Sequence, residues 1–392
     1  MKKPRIYMDY NATAPLLPQA REAMEEALAL PGNPSSVHAE GRAARAVMDK
    51  ARRQVAALAG ASAACVTFTS GATEAAATVL TPHYKMGKAD LAVSHLYVPA
   101  VEHPCILAGG RFGPEQITKL AVDSQGLVDL VALKTRLEDH DAASGLALVA
   151  IQLANNETGV LQPVAEAAAI IKEHGGILVV DAVQAGGRLA VDISALGADF
   201  LLLSSHKIGG PKGIGAVVSA GEIMMPVPLI PGGGQERGHR SGTESPAAAA
   251  GFGAAAEQAL NDLEANARKI AADRDRLEAG IRQMAPDCII HAGESPRLIN
   301  TTFFSLPGLK AETAQIAFDL EGIAVSAGSA CSSGKVGPSH VLAAMGKDAD
   351  LGGIRVSIGL ETSDAELTEF LRVFGKINEK RDKNRKEKTA LV

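Results

Sequence analysis

The stretch Ser204-Ser205-His206-Lys207-Ile208-Gly209-Gly210-Pro211-Lys212-Gly213-Ile214-Gly215 constrains this chain more than any other. It follows an apolar run, Phe200 to Leu203, of strand length. One lysine is flanked by hydroxyls and a histidine, then by glycines and a proline, a composition unsuited to a helix or a central strand. Two readings fit. One is a surface Gly/Pro turn with a solvated lysine. The other is an amine held at a strand end, with backbone free to approach a ligand. Lysine forms Schiff bases with aldehydes, and pyridoxal phosphate is the usual biological aldehyde.

A second apolar run, Ile177 to Val180, ends in Asp181-Ala182-Val183-Gln184. Carboxylates at the ends of parallel strands commonly face a ligand crevice; a helix cap is the competing reading. An acid and a lysine at neighbouring strand ends could serve the pyridine nitrogen and the aldehyde carbon of one ring, the acid keeping the nitrogen protonated. Upstream, the strand 64–69 runs through Ser70-Gly71-Ala72-Thr73-Glu74 into an alanine-rich helix, 74–80. Such a helix start can hold a phosphate on free amides, or can be a plain strand-to-helix turn. His103, before Pro104, is held out of the helical region and taken alone is as readily structural as catalytic.

Elsewhere, strands and helices alternate. The pattern predicts helices over 17–30, 39–60 and 163–174, with Ser35 or Ser36 as cap of the second. It predicts strands at 91–94, 97–99, 147–153, 216–218, 289–290 and 300–304. From Pro246 one long helix is expected to reach about Met284, linking two domains. The polar, glycine-rich 231–245 is read as site or interface. Val325 to Lys335 sets Cys331 among small residues, which suits an accessible reactive thiol or a small buried hydrophobe in a tight loop. Arg355, inside the apolar strand 353–359, needs an anion: a substrate carboxylate or a structural acid. The tail from about Lys376 reads as a frayed helix or a disordered end.

Size and charge exclude several classes. At 392 residues, a sizeable core is within reach. A net charge of −5 argues against general binding to nucleic acid or anionic membrane, and no run approaches the roughly 18 apolar residues of a membrane span. The basic start Met1–Arg5 and the short, polar stretch after it do not make a signal-peptide core, so a cytoplasmic setting is expected. Cys65, Cys105, Cys288 and Cys331 show no zinc spacing, so reduced thiols and no metal site are expected. There is no GxGxxG, Walker, HExxH or GxSxG motif.

Taken together, Asp9–Thr13, Gly32–His38, Thr69–Glu74, Glu102–Pro104, Asn155–Gly159, Asp181–Gln184, Ser204–Gly215, Gly232–Thr243, Gly328–Ser333 and Ile354–Gly359 resemble, in order, the NifS/IscS-type cysteine desulfurases. These are fold-type I enzymes of the class V aminotransferase group. The resemblance implies an α/β fold: a large pyridoxal-phosphate domain over 16–258, with a mostly parallel sheet flanked by helices. A smaller α+β domain would comprise 1–15 and 259–392 and carry a mobile cysteine loop at about 326–337.

It also implies roles. Lys207 would form the Schiff base, His103 stack on the ring, Asp181 bind the pyridine nitrogen and Gln184 the ring oxygen. Ala72, Thr73, Ser204 and His206 would hold the phosphate, with Thr243 arriving from the second subunit of a homodimer. Asn156 and Arg355 would hold L-cysteine, and Cys331 would accept its sulfur for a sulfur-acceptor or iron–sulfur scaffold protein. A selenocysteine lyase, another class V pyridoxal enzyme such as a small-amino-acid aminotransferase, and a non-catalytic relative are the rival readings.

Overall fold

A computed structural model describes residues 5–328 and 337–390; Cys331 lies outside the described residues. The chain begins with β1 (Ile6–Tyr7), α1 (Pro18–Leu28) and α2 (Ala39–Leu58). Next come β2 (Val66–Thr69), α3 (Ala72–Val79), β3 (His83–Met86), β4 (Ala89–Pro99), α4 (Pro104–Leu107), β5 (Ile117–Leu120) and α5 (Leu130–Glu138). The sheet is completed by β6 (Leu146–Gln152), β7 (Ile177–Asp181), β8 (Phe200–Ser204), β9 (Gly215–Ser219) and β10 (Met224–Pro226), with α6 (Val164–Glu173) between β6 and β7.

These strands form one nine-stranded sheet in the order β10-β3-β4-β6-β7-β8-β9-β2, with β5 also paired to β4. The centre, β4-β6-β7-β8, is parallel, and so is β5 on β4. Both flanks are antiparallel. Every residue of β7 and β8 is buried, as expected of strands covered on both faces. The two apolar runs at 91–94 and 97–99 are one strand, with a register shift between Val93 and His95.

Helices α1, α2 and α7 (Pro246–Asn261) pack closely because α7 is built from small residues. A Cβ on Gly253 would lie 2.7 Å from Ala51 Cα, and one on Gly251 2.7 Å from Met24 Cγ. Helix α2 is capped by His38, whose side chain accepts from Gly41 N, and not by Ser35 or Ser36.

The expected long helix is two. It breaks at Asp262, which leaves helical geometry (φ −101°, ψ 3°), and resumes as α8 (Leu263–Met284). The Asp262 carboxylate accepts from the Gln258 side chain one turn earlier, at the end of the first helix. Helix α7 thus serves the large sheet, whereas α8 turns Ile270, Leu277 and Ile281 into a second core.

That second core surrounds a four-stranded antiparallel sheet. Its strands are β11 (Ile289–Ile290), β12 (Thr301–Ser305), β14 (Ser326–Ala327) and β15 (Ile354–Ser357). Between β12 and β14 lie α9 (Ala311–Leu320) and β13 (Ile323–Ala324), and α10 (His340–Ala344) precedes β15. The N-terminal arm joins this part of the molecule: β1 pairs in parallel with β13, and Asp9 bridges Ser357.

Of the two readings of the tail, the helix is the one found: α11 runs Asp364–Ala390. Leu367, Phe370, Val373 and Phe374 recur at helical spacing and are buried, with Phe370 stacked on Phe318 at 5.0 Å. Arg381, 3% exposed, continues the anchoring through an ion pair to Asp287. Among the described residues no helix is long and apolar enough to cross a membrane.

Candidate active site

Parallel strands deliver their carboxyl ends to one edge of the sheet. Here β7 ends at Asp181, β8 at Ser204, and β6 leads through Leu153 to Asn156. A single 3-10 turn, Ser205–Lys207, carries the lysine past the strand end. Together they open on a cavity of about 650 Å³, lined among others by Ala72, Thr73, His103, Asn156, Asp181, Gln184, Ser204, His206 and Lys207. Lys207 Nζ donates to Asn11 O (2.5 Å) and Ala12 O (3.0 Å). Gln184 Nε2 donates to the same Asn11 oxygen at 3.0 Å.

Asp181 lies at the buried end of the cavity, 8% exposed. Its Oδ1 accepts from Val183 N at 2.9 Å, and no ion pair satisfies it among the described residues. Burial pushes its pKa up to about 6, against the opposing pull of the Val183 amide and the Lys207 charge. A ligand that brings a positive N–H to this carboxylate would remove the penalty.

At the opposite end, α3 starts without a side-chain cap, and the first amide with a main-chain partner is Ala75 N, to Gly71 O. The earlier amides, with the Thr73 and Ser204 hydroxyls and His206, form a donor set suited to phosphate. Gly215 makes the close fit here: a Cβ would lie 2.7 Å from Gly71 C. His206 Nδ1 is 3.2 Å from Thr13 Oγ1, and burial first, then Lys207, lowers its pKa to about 4. A buried acid at one end, a phosphate cup at the other and an amine between them fit pyridoxal phosphate.

His103 caps α4, its Nδ1 accepting from Cys105 N at 3.2 Å. Burial, then the Lys207 and His340 charges, lowers its pKa to about 4. Arg355 lies outside the cavity wall. Its Nη2 pairs with Asp9 Oδ1 (2.7 Å) and its Nη1 donates to Asn156 O (2.9 Å), while the side chain is 1% exposed. The arginine therefore has a structural acid, and Asn156 links it to the cavity.

Thr243 is exposed and does not reach this chain's own cavity. The loop around it is firmly held. Glu236 and Arg237 adopt left-handed conformations (φ 47° and 57°), costly for residues with side chains. The Glu236 carboxylate takes both Arg52 Nη groups, at 2.6 and 2.8 Å, and also accepts from Phe68 N at 2.8 Å. Arg240 pairs with Glu74 on α3 at 2.9 Å, tying the loop to the phosphate cup.

Sequence reasoning missed Cys105, which lines the cavity, and gave no role to Asn11, Ala12 and Thr13, whose oxygens hold Lys207 and His206. Proximity of Cys105 to His103 in the chain was the only available signal. Burial pushes the thiols of Cys105 and Cys288 up to about 12. At pH 8 each then carries roughly a thousandfold less thiolate than an ordinary cysteine. Iodoacetamide is expected to spare both in the folded protein and to label them on denaturation; peptide mass spectrometry showing rapid native labelling of either would contradict these environments.

The fold and this cavity define a class, and the chain belongs to it: the aminotransferase class-V family, whose model matches residues 6–370. The cofactor of this family is pyridoxal phosphate. Within the class, the chain is 36% identical over 375 residues to the IscS-like cysteine desulfurase of Mycobacterium tuberculosis, covering 94% of each. The NifS-like protein of Rickettsia africae superposes with a TM-score of 0.86 at 34% identity, covering 96% of this chain and 99% of that one. SspA, solved in complex with cysteine, superposes with a TM-score of 0.73 at 27% identity, covering 91% and 100%.

Proposed function

We infer that the chain is a pyridoxal-phosphate-dependent cysteine desulfurase that converts L-cysteine to L-alanine and collects the sulfur as a persulfide on Cys331. One observation carries the reading: the Lys207 amine and the buried Asp181 carboxylate stand at adjacent strand ends in a single cavity.

Bound pyridoxal phosphate supplies an electron sink that loosens the substrate's Cα–H and then Cβ–S bonds. Lys207 would hold the cofactor through its amine, and the same amine would take the substrate's Cα proton. Asp181 keeps a negative charge at the deep end, where a ring nitrogen must stay protonated. Asn156 faces the substrate, with the Arg355 guanidinium behind it to receive the carboxylate in exchange with Asp9. The Cys331 thiolate attacks the substrate sulfur: an S–S bond forms, the Cβ–S pair returns to the carbon skeleton, and protonation there yields alanine. His103 is placed to deliver a proton.

Cys331 amid small residues favours this reaction over transamination. The decisive assay measures alanine and sulfide from cysteine beside selenide from selenocysteine and amino-group exchange with keto acids. Keto-acid exchange without sulfide would overturn the reading; preference for selenocysteine would redirect it to a lyase.

The resemblance to cysteine desulfurases, and thiols at Cys65, Cys105 and Cys288 that form no disulfide among the described residues, support a compartment, an assembly and an acceptor. We propose a cytoplasmic homodimer in which Thr243 completes the phosphate cup of the second copy, with an iron–sulfur scaffold or another sulfur acceptor as partner. Light scattering on the purified chain tests the dimer, cell fractionation the compartment, and persulfide trapping on Cys331 followed by pull-down the acceptor.

Without cofactor, the buried Asp181 carries a stability cost with a definite sign. Its folded pKa of about 6 stands above the ordinary 3.8, so the folded chain binds that proton more tightly than the unfolded one. Stability of the cofactor-free chain should therefore fall as pH rises from about 4 to about 6. Asp181→Asn is expected to recover up to about 3 kcal/mol at pH 8 in denaturant unfolding of that form. The same substitution should cut turnover of the loaded enzyme by about 100-fold or more, because an amide cannot hold the ring nitrogen protonated. A variant less stable than wild type at pH 8 would refute this account of Asp181.

A further inference from the structure

We propose that Cys105 is a positioning residue for His103: its thiol donates to His103 Nδ1 and so presents the imidazole to the cavity as an Nε2–H donor. This rests on the functional reading above only in assigning the cavity to the cofactor and substrate.

Both contacts of His103 Nδ1 come from Cys105, whose N–H and S–H share the nitrogen's single lone pair. Cys105 N donates to His103 Nδ1 at 3.2 Å, so Nδ1 presents its lone pair and carries no proton. Cys105 Sγ lies 3.0 Å from that same nitrogen. With Nδ1 an acceptor, the hydrogen in this contact belongs to sulfur. Thr73 lines the same cavity as Cys105 and His103. The thiol remains protonated across ordinary pH, since burial and the nearby Asp181 and Glu102 carboxyls push it up to about 12.

A neutral imidazole with a bare Nδ1 holds its proton on Nε2. Within the described protein no hydrogen-bond partner takes that nitrogen, and His103 lines the cavity. The ring therefore meets a bound ligand as a hydrogen-bond donor and proton source; it cannot accept a proton there before giving up its own. The surrounding charges act in the same sense. Lys207 and His340 both disfavour a second ring proton, and His340 is itself held by Glu102 O at 2.9 Å.

The test is histidine-ring 15N NMR on the full chain, with and without pyridoxal phosphate, for wild type, Cys105→Ala, Cys105→Val and Cys105→Ser. Wild type is expected to show His103 with its proton on Nε2. Removing the S–H donor, as in Cys105→Ala, destabilises the neutral ring and should raise the His103 pKa by about half a unit, with the Nδ1 resonance moving toward its unbonded position. Cys105→Val should do the same while filling the thiol's space, which separates loss of the donor from loss of packing. Cys105→Ser should restore wild-type behaviour through its hydroxyl. A wild-type ring protonated on Nδ1, or an unchanged pKa and Nδ1 resonance in both the alanine and valine variants, would overturn the proposal. Because these signals are read without turnover, their failure is distinct from absence of alanine production, which would count against the functional reading alone.

Discussion

Lys207→Ala should reduce alanine formation from cysteine by about 1,000- to 10,000-fold and abolish the visible absorption of the anchored cofactor. The size follows from the two roles lost together: the covalent anchor and the base positioned at the substrate Cα. The fold should survive. Lys207 Nζ donates to the main-chain oxygens of Asn11 and Ala12, and Asn11 O keeps the donor from Gln184. Arg188, which reaches Gln184 O and Oε1 and Lys207 O, remains in place because the acceptor from residue 207 is main chain. Unfolding free energy should therefore change by about 1 kcal/mol or less. Turnover within tenfold of wild type, with the visible band retained, would remove Lys207 from the mechanism.

Cys331→Ala should eliminate steady alanine production while leaving cofactor content and visible absorption at wild-type levels. Sulfur cannot leave the substrate as a persulfide without a thiolate to receive it, so the block falls after proton abstraction, not before binding. Substrate-induced spectral change should persist in this variant and vanish in Lys207→Ala, which separates the two halves of the reaction. Mass spectrometry of the wild type after brief exposure to cysteine should find one added sulfur on the peptide carrying residue 331. Wild-type rates in Cys331→Ala would eliminate the persulfide step.

Much of the site was legible because strand ends announce themselves. Asp181 and Lys207 each follow an unbroken apolar run, and such runs in a parallel sheet leave their next residues at the ligand edge. Thr73 was legible for a related reason, a glycine turn opening a helix. Arg355 was half legible. Its need for an anion could be read from apolar neighbours, but Asp9, the acid it pairs with, stands at the other end of the chain. Cys105 was barely legible: its place two residues after His103 was the one signal, and only the capped turn at the start of α4 brings its thiol to the imidazole.

Local pattern failed where tertiary contacts override composition. The helical run from Pro246 breaks at Asp262, between the helix that serves the large core and the one that serves the second, and α11 stays helical through a charged tail because its apolar stripe packs into the second core and Arg381 pairs with Asp287.

By itself the sequence determined the alternation of strands and helices, the polar strand ends, and the order of motifs that marks the family, since these depend on neighbours and short-range periodicity. The tertiary structure alone decided which ends converge and which acid answers Arg355. Those outcomes depend on burial and on groups brought together from distant parts of the chain, where desolvation and hydrogen-bond geometry set protonation and no local pattern records it.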